Sequence, residues 1–206
     1  MIFKNLLRIV KSYKFHLIAI IYFEFLYLMK GYKGNKFNFR KDELMADDIP
    51  CPYYFLLKIK KTLAKNNFSK FLDLGCGSGR IIDFFNKNFS SKNFIGIEYY
   101  SSQYDYCKKI FKNEKNIEIF QADFTKSDFF KYNADCYFFN NPFKKNSEFI
   151  KFIEKTVNSS LNKKNILFIF VNFDKHLVEN LKNIRCIDSY YVSPIKGYSI
   201  CNLSEN

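Results

Sequence analysis

The sequence predicts an α/β fold in which helices cover both faces of a mostly parallel sheet. After residue 41, short and strongly apolar segments alternate with segments whose apolar residues recur at helical spacing. The chain has 206 residues, of which 48% are apolar. It is therefore long enough to bury a core and too apolar for an intrinsically disordered protein.

The predicted elements follow one another from residue 53 to residue 203. Apolar residues at helical spacing predict helices over residues 53–65, 80–88, 101–112, 148–158 and about 175–182. Short apolar runs predict strands over residues 70–74, 94–97, 117–121, 135–139 and 165–171. A Ser-Pro turn joins two further strands, residues 184–192 and 197–203, as a hairpin. The sheet is therefore expected to have seven strands, the last of them antiparallel.

Charge divides the chain into two regions. The formal net charge is +13, of which residues 1–40 carry +7 from eight basic residues and one acid, Glu24, leaving +6 for the other residues. Lys, Phe, Asn and Ile, which have A/T-rich codons, dominate the chain, so this remainder is weak evidence for a nucleic-acid partner. We predict a basic, apolar N-terminal helical extension over residues 1–40 and one domain over residues 41–206.

The N-terminal extension contains an apolar stretch at residues 15–29 that includes Glu24. This stretch is shorter than the roughly 20 residues that a membrane-spanning helix needs, and no small-residue cleavage site follows it. Residues 2–10 also have helical spacing. Two interpretations stay open: helices that pack on the domain or on a second copy, and peripheral membrane contact through residues 1–35.

The six cysteines lie far apart, with neither a Cys-x-x-Cys pair nor a nearby histidine pair. This spacing does not predict a metal site. We interpret the cysteines as reduced thiols of a cytoplasmic protein, with membrane association through the N-terminal extension as the alternative.

The first predicted strand ends in a glycine-rich loop. Its candidate binding residues are Asp73, Gly75, Cys76, Gly77 and Gly79. The spacing Gly-x-Gly-x-Gly differs from the Gly-x-Gly-x-x-Gly of dinucleotide sites and from that of phosphate-binding loops. Glycines allow a sharp turn and a close approach of backbone to ligand, which suits an adenosyl ligand with a charged amino-acid tail.

Polar and aromatic residues follow the next three strands, at the edge of the sheet where such folds bind ligands. Glu98 closes the second strand, where a carboxylate accepts both hydroxyls of a ribose. Asp123 and Phe124 follow the third strand and offer an acceptor and a ring for adenine. The fourth strand is followed by Asn140, Asn141, Pro142 and Phe143.

These four strand ends resemble those of the class I S-adenosylmethionine-dependent methyltransferases, over about residues 53–203. The resemblance implies a Rossmann-like sheet and S-adenosylmethionine as the cofactor. It also implies that the glycine loop holds the methionine part, and that Asp73 orients this loop or receives the amino group through water. Glu98 would bind the ribose and Asp123 the adenine amino group. Phe124 would lie near the adenine ring, and Tyr99 would stack on it or pack as an ordinary tyrosine.

Residues 140–143 bear on the methyl acceptor. They resemble the [Asn/Asp/Ser]-Pro-Pro-[Tyr/Phe] motif of amino-methylating members, with Asn141 in place of the first proline. The resemblance implies that the Asn140 side chain and the Asn141 carbonyl accept hydrogens of an amine beneath the Phe143 ring. Together with Gly96-Ile-Glu98 and Asp123-Phe124, the segment also resembles the non-SET histone-lysine methyltransferases and their small bacterial relatives. We expect a nitrogen acceptor, with protein lysine favoured over adenine.

Other functions stay open at this point. A methyltransferase acting on adenine or another part of a nucleic acid, one acting on a small molecule, and a cofactor-binding protein without activity are the alternatives. An oxygen acceptor usually needs a general base or a metal, and His176, which follows the fifth strand, is the candidate base.

Overall fold

Strands and helices alternate along the part of the chain that the computed structural model describes, residues 16–34, 50–126, 128–140, 143, 145–160 and 165–204. The strands are β1 (Lys70–Leu74), β2 (Asn93–Glu98), β3 (Ile117–Gln121), β4 (Cys136–Asn140), β5 (Leu167–Val171), β6 (Ile184–Ser193) and β7 (Lys196–Leu203). The helices are α1 (His16–Met29), α2 (Tyr53–Leu63), α3 (Arg80–Asn88), α4 (Ser101–Ile110), α5 (Asn146–Ser160) and α6 (Lys175–Glu179), with a 3-10 helix at Phe130–Tyr132.

All seven strands form one sheet in the order β3-β2-β1-β4-β5-β7-β6. Strands β1 to β5 are parallel to one another, and β7 is antiparallel to both β5 and β6. The tight turn before Lys196 sends β7 back between β5 and β6. The predicted α/β fold, with seven strands and an antiparallel last strand, is confirmed.

The central strands are apolar throughout because both faces of the sheet are covered. Successive side chains of a strand point to opposite faces, so β4 places Phe138 in one core and Tyr137 and Phe139 in the other. All five residues of β5 are buried. Continuous apolar runs therefore fit central parallel strands better than an alternating pattern would.

Helix α1 packs on the body of the protein through its one acidic residue. One carboxylate oxygen of Glu24 accepts the N–H of Tyr53 at 2.9 Å, and the other pairs with Nη1 of Arg80 at 2.8 Å. The Arg80 guanidinium is buried and lies 4.6 Å from the ring centre of Tyr53. Beyond the helix, the Gly34 carbonyl accepts the Ser78 hydroxyl at 2.7 Å. The start of the described chain is thus joined to the glycine loop and to the helix that follows it.

Some predictions for the N-terminal extension lie outside the described residues, namely the helix at residues 2–10 and the boundary between residues 40 and 41. Among the residues that are described, no helix is both long enough and apolar enough to cross a membrane.

The cysteines differ from the prediction of reduced thiols. Cys186 and Cys201 form a disulfide, because the register of β6 and β7 places them opposite each other. Cys51, Cys76, Cys107 and Cys136 are free and buried. Spacing along the sequence does not reveal a cross-strand pair whose members are 15 positions apart. The cytoplasmic location stays a prediction.

Candidate active site

Glu98, Gly75 and Asn140 lie in a row across the carboxyl edge of the sheet. Leu74 of β1 is level with Ile97 of β2 on one side and with Phe139 of β4 on the other, so the next residue of each strand extends this row. Neighbouring strands are about 4.8 Å apart. The chain leaves β1 towards β2 and returns to β4 on the opposite side, and ligands bind at such a reversal in open α/β sheets. The row therefore marks the candidate site.

The glycine loop (residues 75–79) is held by the end of β2. The N–H groups of Gly75 and Cys76 both donate to the Ile97 carbonyl, at 2.9 and 3.0 Å. The N–H of Gly77 donates to Oε2 of Glu98 at 2.8 Å. The path of the loop is thus set by the strand that also supplies the predicted ribose-binding carboxylate.

Gly79 is one position of the glycine loop that has no room for a side chain. Its φ is +84°, and a Cβ there would lie 2.6 Å from Cε2 of Phe111 and 3.0 Å from Sγ of Cys107. Both neighbours belong to α4 or the residue that follows it, so the loop lies directly against that helix. Only glycine combines this backbone conformation with so close an approach.

Glu98 is 2% exposed, and each of its carboxylate oxygens accepts one backbone N–H. The second of these donors is Tyr100, at 2.9 Å from Oε1. Tyr99 is 46% exposed, and its ring packs edge-on against that of Tyr100 at 4.9 Å.

Asp123 lies just beyond β3, where its carboxylate stabilises the following turn. Oδ1 accepts the N–H and the hydroxyl of Thr125, and Oδ2 lies 3.3 Å from Nζ of Lys126. Burial opposes ionisation, but the Thr125 hydrogen bonds and the Lys126 ammonium outweigh it and lower the pKa of the Asp123 carboxyl. This carboxylate is therefore ionised and fixed in place at neutral pH.

The rings of Phe124, after β3, and Phe143, after β4, contact each other and so join the two strand ends. Their ring centres are 5.8 Å apart with nearly perpendicular planes, and both rings pack against Phe152 of α5. Phe124 also lines a cavity of about 320 Å³ between the loop after β3 and α5. Asn141 and Pro142, predicted between Asn140 and Phe143, lie outside the described residues.

Negative charge collects beneath the glycine loop. Asp73 is fully buried in β1, and Glu98 is buried at the end of β2. The pKa of the Cys76 thiol is raised well above its ordinary value by its contact with Cys107, by burial and by the carboxylates of Asp73 and Glu98. Such a surrounding suits a ligand that carries positive charge at this point.

Asn172 is a candidate functional residue that was not predicted. It follows β5, whose last residue, Val171, is level with Asn140. Its Nδ2 donates to Oδ1 of Asn140 at 2.9 Å, and its backbone has a φ of +60°. Its own Oδ1 is buried and has no hydrogen-bond partner among the described residues. The sequence did contain a signal that could have indicated Asn172, namely an asparagine directly after an apolar strand.

The candidate base His176 lies away from this row. Its side chain is 82% exposed on α6, with Nδ1 3.8 Å from Oε2 of Glu179. Within the described ranges, no group of three His, Cys, Asp or Glu side chains is arranged to hold a metal ion.

Comparison with known proteins bears on this geometry. Residues 71–159 match a family model described as a methyltransferase domain. No curated protein matches the chain in sequence. Among solved structures, N,N-8-amino-8-demethyl-D-riboflavin dimethyltransferase (RosA) from Streptomyces davawensis has a TM-score of 0.59 at 9% identity, with 74% of this chain and 54% of that chain covered. This chain thus spans about half the length of RosA.

Two further solved structures cover more of their own length. A human methyltransferase 10 domain containing protein has a TM-score of 0.57 at 13% identity, over 85% of this chain and 92% of that one. Aeropyrum pernix fibrillarin, in complex with natively bound S-adenosyl-L-methionine, has a TM-score of 0.54 at 10% identity, over 70% and 74%. At such identities the structural likeness shows the fold, and the family match adds the domain. Residues 71–159 thus match a methyltransferase domain, and the chain has the fold of S-adenosylmethionine-dependent methyltransferases.

Proposed function

We propose that the chain is a methyltransferase that transfers the methyl group of S-adenosylmethionine to a nitrogen atom. The favoured acceptor is the amine of a protein lysine. The observation that carries the proposal is the pair of carboxamides at Asn140 and Asn172. Oδ1 of Asn172 is buried without a partner among the described residues, beside the Asn140 oxygen that its Nδ2 contacts. A buried polar atom without a partner costs free energy, so a ligand donor at this point is favoured.

The residues of the row fit the cofactor. The glycine loop would hold its amino-acid tail above Asp73 and Glu98, whose negative charge complements an ammonium and a sulfonium group. Glu98 would accept the ribose hydroxyls, and Asp123 would accept from the adenine amino group. Tyr99, which follows β2, and Phe124, which follows β3, would both contact the adenine ring.

The cofactor, when bound, supplies a methyl group on positively charged sulfur: the acceptor nitrogen forms a bond to that carbon while the carbon–sulfur bond breaks and its electron pair stays on sulfur. The chain's contribution is mainly positioning. A neutral primary amine has two N–H groups and one lone pair. If Oδ1 of Asn140 and Oδ1 of Asn172 accepted the two hydrogens, the lone pair would be left for the methyl carbon.

Neutral carboxamides suit an amine better than a carboxylate would. A free lysine has a pKa of about 10.4, and its lone pair becomes available only after the ammonium loses a proton. A carboxylate at either position would favour the ammonium form, whereas an amide oxygen accepts hydrogens without adding negative charge. The motif resemblance at residues 96–98, 123–124 and 140–143 also supports lysine over adenine.

The test is a methyl-labelling experiment without a chosen substrate. The protein is incubated with methyl-labelled S-adenosylmethionine and cell lysate, and label is counted in protein, nucleic acid, lipid and small-molecule fractions. We expect label on lysine in the protein fraction, and its loss in Asn140→Ala but not in Asn180→Ala, an exposed asparagine on α6's C-terminal turn.

Each other outcome overturns a stated part of the proposal. Label in nucleic acid that depends on Asn140 would overturn lysine as the acceptor. Full transfer by Asn140→Ala, with cofactor binding intact by calorimetry, would overturn the role of Asn140.

A further inference from the structure

We propose that helix α1 binds the surface of an anionic lipid membrane through the face that it turns away from the body. This interaction does not depend on the identity of the methyl acceptor. It follows from the distribution of apolar and charged side chains around the helix.

The outward face of α1 is a continuous apolar stripe, called here the outer stripe. Its members recur at intervals of three, one, three, three and one residues, which places them on one side of a helix. Each side chain is between 58% and 79% exposed. They are Ile18, Ile21, Tyr22, Phe25, Leu28 and Met29. Large apolar side chains are seldom exposed as a contiguous group on a soluble protein, so this face indicates an interaction surface.

The inward face of α1 is already used. Ile20 and Tyr27 are buried, and Phe23 and Leu26 pack against the core. Glu24 lies on this face and pairs with Arg80. The outer stripe is therefore not a surface that the body could cover by a small rotation of the helix, because rotation would break the Glu24 contacts.

Charge identifies the occupant as an anionic surface. Glu24 is the only acid in residues 1–40, and Arg80 neutralises it on the inward side. Eight basic residues accompany it in the same 40 residues, and one of them, Lys30, follows directly on α1 and is exposed. An apolar stripe with basic flanks is the pattern of helices that lie in the interface of anionic membranes.

The same charge disfavours a second copy of the chain as the occupant. Pairing two outer stripes would bring together two segments that each carry +7. Like charges in proximity repel, whereas anionic lipid attracts each basic residue.

The length of α1 favours lying on the membrane. Its 14 residues extend about 21 Å, less than the roughly 30 Å of a bilayer's hydrocarbon core. A helix of this length, held to the body along one side, presents its other side to a flat surface.

The test is co-sedimentation of the full chain with lipid vesicles. One set contains phosphatidylcholine alone and the other contains phosphatidylcholine with phosphatidylglycerol. We expect binding to the anionic vesicles that weakens as salt is raised. The double variant Ile21→Ser with Phe25→Ser should bind at least about tenfold more weakly, because both side chains lose their burial in the interface.

Ile195→Ser supplies the matched control. Ile195 is also a large exposed apolar residue, at 52%, but it lies in the turn between β6 and β7. We expect it to bind vesicles as the unaltered chain does, and all three proteins to unfold at similar temperatures.

Three outcomes would overturn the proposal. They are an unaltered chain that stays in the supernatant with anionic vesicles, a double variant that binds as tightly as the control, and a dimer in sedimentation velocity that the double variant dissociates. The last would assign the outer stripe to a second copy. None of these measurements involves methyl transfer. A result that overturns membrane binding therefore leaves the proposed activity untouched.

Discussion

Nδ2 of Asn172 donates a 2.9 Å hydrogen bond to Oδ1 of Asn140 and so joins the ends of two neighbouring strands, β5 and β4. The contact fixes the orientation of the Asn140 carboxamide. Because the N–H of Asn172 donates to the Gly197 carbonyl, the orienting residue is itself held by the antiparallel strand β7.

Removing the Asn172 side chain should slow methyl transfer without weakening cofactor binding. Asn172→Gly suits the backbone, whose φ is +60°, so the variant deletes the carboxamide without adding strain. The variant loses the hydrogen bond to Asn140 and the Asn172 Oδ1 acceptor, which should lower the rate of methyl transfer about tenfold to a hundredfold. Cofactor affinity by calorimetry should change less than about twofold, since the proposed cofactor residues lie on the β1 and β2 side. Asn183→Gly, at a φ of +61°, is the control, and an equal loss of rate there would contradict the assignment.

A side chain at Gly79 should abolish tight cofactor binding. In Gly79→Ala the new Cβ would meet Phe111 at 2.6 Å and force the glycine loop away from α4. Gly31→Ala has a similar φ of +68° but nothing within 4 Å of the new atom. It should therefore cost only the backbone strain, about 1 kcal/mol. We expect at least a tenfold rise in the Kd for S-adenosylmethionine in Gly79→Ala and none in Gly31→Ala. Equal affinities would show that the loop tolerates the shift.

The ion pair between Glu24 and Arg80 should contribute measurably to stability. Glu24→Ala leaves a buried Arg80 guanidinium that, among the described residues, keeps a hydrogen bond to the Cys51 carbonyl at 3.3 Å and the Tyr53 ring at 4.6 Å. Unfolding free energy should fall by about 2–3 kcal/mol, which lowers the Tm by roughly 5–10 °C. Glu179→Ala, which removes an exposed pair with Lys175, should cost less than about 0.5 kcal/mol. Thermal unfolding of the two variants measures the difference, and equal Tm values would show that α1 is not held by this pair.

The Asp123 carboxylate should stabilise the fold in a pH-dependent way. Its pKa is lowered in the folded state, so its charge adds stability above the unfolded pKa and loses that effect as the pH falls through the folded value. The urea midpoint of Asp123→Asn should lie below that of the unaltered chain at pH 7. The gap should close as the pH is lowered towards 3. Because Lys126 is exposed, added salt should also narrow the gap at pH 7. A gap that is constant with pH would assign the effect to the Thr125 hydrogen bonds instead.

The bounds of a strand were predictable where a glycine or a polar loop directly follows the apolar run. The predicted bounds of β1 and β3 agree with the structure, since glycine follows one and a loop follows the other. The strand predicted at 135–139 is Cys136–Asn140 instead. Asp135 stays outside because its carboxylate accepts the N–H groups of Ser69 and Lys70, and Asn140 joins because it pairs with Val171.

The site was predictable as a row of strand ends, whereas contacts between distant residues were not. Glu24 looked like an interruption of an apolar stretch, and its partner Arg80 lies 56 positions away. Likewise, Asn172 meets Asn140 only because the sheet order places β5 beside β4.

The hydrogen bond from Ser78 to the Gly34 carbonyl has a thermodynamic consequence. It joins the loop proposed to hold the cofactor to the segment that carries the outer stripe, so the two proposed ligands act on one connected piece of backbone. Reciprocity of linked equilibria then relates them: the factor by which lipid vesicles change the cofactor's affinity equals the factor by which the cofactor changes the affinity for vesicles. A titration of either ligand in the presence of the other therefore measures how strongly the two proposed sites are coupled, and a Ser78→Ala variant measures the share of this contact.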